Sequence, residues 1–66
     1  MQLVINGARR EVPDLATLAE LSSWLGLPDF GSAIELNGAV IPRVNHPGTA
    51  LHEGDQLEIV RLVGGG

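Results

Sequence analysis

Apolar residues at the start of the chain recur at every second position. Met1, Leu3 and Ile5 share one face, the period of a strand with one side buried. Asn6-Gly7 follows, and this pair suits a type I′ hairpin turn because both central positions need φ > 0. Ala8–Val12 reads as the returning strand, closed by Pro13 and Asp14. The period then lengthens. Leu18, Leu21 and Leu25 fall three and four apart, which places them on one face of a helix with Trp24 at its flank. Thr17 and Glu20 have the spacing of a capping box, Gly26 suits the left-handed residue that stops a helix, and Pro28 lies just beyond.

The second half returns to alternation. Ala33–Leu36 reads as a third strand with Ile34 and Leu36 on one side, and Asn37-Gly38 repeats the hairpin signal. Ala39–Ile41 is a short fourth strand cut off by Pro42, as expected at a sheet edge. Val44–Thr49 carries turn residues and no period, so it reads as irregular. Leu51 is expected to plug the core, and Glu53-Gly54-Asp55 to form a tight turn. Gln56–Val63 is the last and longest strand, with Leu57 and Ile59 toward the helix. Glu58, Val60 and Leu62 then point the other way, together with Gln2 and Val4 of the first strand.

Two hairpins flanking one helix, with a last strand still to be paired, predict a two-layer α+β domain. If the last strand lies beside the first, the two run parallel at the centre of a five-stranded mixed sheet with the helix packed on one face. That is the ubiquitin-like β-grasp arrangement. Residues 1–63 form the domain on this reading, and residues 64–66 a flexible glycine tail.

Composition narrows the function. A chain of 66 residues has little surface to spare for a deep cleft, which favours a carrier, adaptor or subunit over a self-sufficient enzyme. Its 44% hydrophobic and 18% charged residues are those of a globular domain. With no cysteine, neither a disulfide nor a thiolate metal site is possible. The net charge is −4 and Arg9-Arg10 is the one basic pair, so nothing supplies the positive stripe that nucleic acid requires. No apolar run is long enough to span a membrane and no signal peptide is visible, which is compatible with a cytoplasmic home.

Four stretches together resemble the thiamine sulfur-carrier family, ThiS. They are the opening Met1-Gln2-Leu3-Val4-Ile5-Asn6, the middle Leu36-Asn37-Gly38-Ala39-Val40-Ile41-Pro42-Arg43, the turn Glu53-Gly54-Asp55-Gln56-Leu57, and the closing Gly65-Gly66. A third glycine, Gly64, precedes that pair. The resemblance implies a division of labour in which the carrier catalyses nothing and binds no cofactor. An E1-like activating enzyme uses ATP to adenylate the carboxyl of Gly66. A sulfur donor, such as a cysteine desulfurase, converts the adenylate to a thiocarboxylate. Thiazole synthase then takes the sulfur.

The residues support that reading in their own terms. Glycine lacks a Cβ and lets backbone approach backbone closely, so Gly64, Gly65 and Gly66 could thread a narrow channel for roughly 10 Å. Val60, Leu62 and Val4 on the open side of the sheet would form a docking patch beside the tail, although exposed valines are common on any protein. Arg43 and Arg61 are either partner contacts or ordinary solvated arginines. His46 and His52 lack further ligands nearby, so no metal site is expected, and Glu53 and Asp55 are explained by turn chemistry. Two other readings stay open. One is the small subunit of molybdopterin synthase, also a β-grasp carrier ending in diglycine. The other is a β-grasp binding module that docks by its sheet and makes no covalent use of its end.

Overall fold

The computed structural model describes residues 1–28 and 31–61. Five strands and one α-helix follow the chain as β1 (Gln2–Ile5), β2 (Ala8–Glu11), α1 (Leu18–Leu25), β3 (Ser32–Leu36), β4 (Ala39–Val40) and β5 (Gln56–Arg61). The sheet order is β2-β1-β5-β3-β4. β5 is therefore central, parallel to β1 and antiparallel to β3, and the remaining pairs are antiparallel hairpins. This is the mixed five-stranded β-grasp sheet that the alternation predicted.

Both hairpins turn where the sequence places them. Asn6 and Asn37 sit at φ 51° each, followed by Gly7 at 81° and Gly38 at 90°, so each Asn-Gly pair supplies two left-handed residues. The helix starts where expected, with the backbone N–H of Glu20 donating to Thr17 Oγ1 at 3.3 Å. The reciprocal half of the capping box is displaced by one residue. The Glu20 carboxylate accepts from the N–H of Ala16 at 3.2 Å, because Thr17 is extended and bridged antiparallel to Ala50. Gly26 ends the helix at φ 72°, its N–H turned back to the Ser22 and Ser23 carbonyls.

One face of the sheet and one stripe of the helix close the core. Leu3, Ile5 and Val12 from the first hairpin, Ile34 and Leu57 from the central strands, Leu18 and Leu21 from α1, and the plug Leu51 are all buried. Burying a leucine or isoleucine side chain completely contributes roughly 1.5–3 kcal/mol. Leu25, Leu36 and Ile59 pack half-buried at the margin of this cluster.

Several details differ from the sequence reading, β3 among them, which starts at Ser32. β2 stops at Glu11, yet Val12 remains buried and its N–H still donates to the Met1 carbonyl at 2.8 Å. β4 stops at Val40, although Ile41 still donates to the Ile34 carbonyl at 3.0 Å. The segment expected to be irregular is a 3₁₀ helix, Arg43–Gly48, and it brings His46 indoors. The His46 Nε2 lies 2.9 Å from the Ile41 carbonyl, and since a carbonyl only accepts, Nε2 is the donor in that bond. The predicted end of the last strand, Leu62 and Val63, lies outside the described residues.

Candidate functional site

The site is built around β5, because that strand leads to the glycine tail. Its neighbour on one side is β3, paired residue by residue from Leu36↔Leu57 to Ser32↔Arg61. On the other side β1 pairs with it only through Val4 and Ile5 before turning away at Asn6-Gly7. The side chain of Asn6 continues the ladder in place of the missing strand. Its Oδ1 accepts from the N–H of Ile59 at 2.7 Å, and its Nδ2 donates to the Ile59 carbonyl at 3.4 Å.

Asn37 treats the start of β5 in the same way. Its Oδ1 accepts from Gln56 N–H at 2.9 Å while its Nδ2 donates to Asp55 Oδ1 at 3.1 Å. Asp55 Oδ2 in turn accepts from the N–H of His52 at 2.8 Å, and Glu53 accepts from the N–H of Gln2 at 2.8 Å. These carboxylates are spent on donors within the fold, the backbone N–H groups of Gln2 and His52 and the side-chain amide of Asn37. They hold the turn that feeds β5, as the sequence reading of Glu53 and Asp55 expected. Sequence reasoning took both asparagines only as turn formers.

The expected docking residues divide by face. Leu57 and Ile59 turn toward the helix, so alternation puts Val60 on the open face with Val4 of β1. Val60 is 47% exposed and Val4 half-buried. Gln56, Glu58 and Glu35 stand on the same face, so the valines are set in a polar, acidic surface. Glu35 and Glu58 are directly opposite each other across β3 and β5. Arg61 has the parity of Leu57 and Ile59, and it borders a groove on the helix side of the sheet. Arg43 opens the 3₁₀ helix, where its guanidinium donates to the Pro28 carbonyl at 3.4 Å, away from the open face. The structure thus joins Val4 with Val60 and separates both from Arg43 and Arg61. Leu62, Gly64, Gly65 and Gly66 lie outside the described residues.

A cavity of about 400 Å³ lies between α1 and the 3₁₀ helix beside Ser22, Ser23, Arg43 and His46. His46 points Nε2 back to a backbone carbonyl there, so it is committed to the fold. Among the described residues no group of three His, Cys, Asp or Glu is placed to hold a metal, and no helix is long and apolar enough to cross a membrane.

A five-stranded mixed sheet wrapped on one helix, with its central strand parallel to the first, defines a small ubiquitin-like β-grasp protein. The model of the ThiS family matches residues 3–66, and the chain belongs to that family. The fold agrees with the crystal structure of thiamine biosynthesis protein ThiS from Geobacter metallireducens. The TM-score is 0.82 at 32% identity, with the whole of both chains covered. All 66 residues are also similar to part of two proteins named thiazole synthase. Identity is 38% for the one from Paramagnetospirillum magneticum and 35% for the one from Magnetococcus marinus. The chain spans 20% of the length of these curated relatives.

Proposed function

We propose that this protein carries sulfur for the thiazole moiety of thiamine on the carboxyl group of Gly66, as a co-substrate of partner enzymes. A carboxylate is a poor electrophile. An E1-like enzyme that spends ATP would let the carboxylate oxygen attack the α-phosphorus, release pyrophosphate and leave an acyl-adenylate. The persulfide of a donor such as a cysteine desulfurase then displaces AMP to give an acyl disulfide, and a second thiol attacks the donor's own sulfur, forming a disulfide with it and releasing the thiocarboxylate. Thiazole synthase is the proposed consumer, and the reading places all of this in the cytoplasm. The observation that carries it is the ThiS-family match over residues 3–66, in a chain whose central strand leads into Gly64-Gly65-Gly66.

The test is intact mass after incubation with ATP, the activating enzyme and a sulfur source. One oxygen should be exchanged for sulfur, and fragmentation should put the change on Gly66. Deleting Gly66 shortens the reach by about 3.5 Å. A misplacement of about 1 Å can already cost a hundredfold in rate, so transfer should be abolished. A chain lengthened past Gly66 that stays fully active without being trimmed back would overturn the reading.

A further inference from the structure

Two arginines flank a groove of mixed polar and apolar lining on the helix side of the sheet, beside the described end of β5. The groove holds about 350 Å³, and Leu25, Leu27 and Ile59, all half-buried, form its floor. Arg10 rises on one side with its guanidinium 5.7 Å from the centre of the Trp24 ring, a stack that restrains it. Arg61, the last described residue of β5, stands on the other side. Among the described residues no carboxylate lies within ion-pair distance of either arginine. Yet the chain carries eight acidic residues against four basic ones. Two exposed guanidinium groups left without acids beside an apolar floor are complementary to a carboxylate-bearing segment supplied from outside, since arginine pairs carboxylates in a two-pronged geometry.

We infer that this groove docks an acidic, apolar segment of thiazole synthase, an inference that rests on the carrier reading above. The choice of partner follows from the two thiazole synthases that contain a stretch similar to this whole chain within a protein five times as long. In those proteins the similar stretch is covalently continuous with the rest of the chain. Glu35 and Glu58 on the opposite face would repel the same acidic segment, so the charge pattern also sets which face meets it.

The test uses the full chain with R10E, R61E, the double variant, and the lysine pair R10K/R61K. Each is first converted with the activating enzyme, ATP and a sulfur source, then titrated against a thiazole synthase that lacks a carrier stretch of its own, at low and high salt. Thiocarboxylate formation should be unchanged. Affinity for the synthase should fall about tenfold for each reversal, with a flatter salt dependence, while the lysine pair keeps most of the binding. Unaltered affinity in R61E and in the double variant overturns the inference, as does a loss that appears only in the activation step. R61E is free of the Trp24 stack, so it reads the groove even if R10E perturbs the helix. Failure of the unmodified chain to gain sulfur would instead sink the carrier reading, and the titration would still report on the groove.

Discussion

Replacing Asn6 with glycine separates two jobs that one side chain performs. Glycine keeps the left-handed φ of 51° at no steric cost, so the Asn6-Gly7 turn survives. What disappears is the amide that bonds Ile59 on β5 at 2.7 and 3.4 Å. The shorter bond is worth about 1 kcal/mol and the longer one less, since each net hydrogen bond contributes about 0.5–1.5 kcal/mol. Both are solvent-accessible, so water replaces part of the loss. The expected destabilisation is about 1–1.5 kcal/mol, or roughly 4–12 °C in Tm for a domain this small.

Asn6→Ala loses the amide and also forces a side chain with no local polar group into the left-handed region, at a further 1–2 kcal/mol or so. The order Asn > Gly > Ala, measured by urea unfolding, is therefore the signature of a splint and a turn in one residue. Amide hydrogen exchange gives a sharper reading. N6G should speed exchange at Ile59 more than at Leu3 or Ile34. If N6G is as stable as the parent and Ile59 exchanges no faster, the side-chain ladder contributes nothing and the reasoning fails.

The open face and the core give two further expectations. Val60→Asp should leave stability within about 1 kcal/mol of the parent, because Val60 is 47% exposed, and should weaken binding to the activating enzyme; loss of the fold in this variant would contradict the face assignment. Leu57→Ala, at a position 1% exposed, should cost about 2–5 kcal/mol, enough to leave much of the chain unfolded at 37 °C by circular dichroism.

How much of this was written in the sequence depends on how local each feature is. The helix Leu18–Leu25 and both Asn-Gly turns were legible because their causes lie within a few residues: a leucine stripe, a cap, and the need for φ > 0. The central place of β5 was legible only through the order of elements, since nothing in Gln56–Arg61 alone names its neighbours. The Asn6 bonds to Ile59 were not legible, for the partner is 53 residues away and an asparagine already explained as a turn former gives no further signal. His46 was hidden for the same reason: its burial comes from the 3₁₀ helix packing on α1, in a stretch with no period of its own. Arg61 could have been read better. The alternation that sends Val60 outward sends Arg61 to the side of Ile59, a parity that could have been assigned from the sequence.

The position of β5 in the sheet bears directly on the work proposed for the tail. A carrier that threads its end into another protein's channel transmits any pull on that end straight to the strand behind it. On a sheet edge such a strand has one neighbour and can be peeled bond by bond, starting from its loaded end. Here the loaded end is braced twice. The β3 ladder reaches as far as Ser32↔Arg61, and on the other flank, where β1 has already turned away, the Asn6 amide grips Ile59. Side chains on the helix side add a third constraint, since Leu57 is sealed in the core and Ile59 packs against its margin. Detaching β5 therefore requires breaking the core along with two ladders, a cost set by the global stability of the domain and not by local fraying. Under such a load β5 keeps its register.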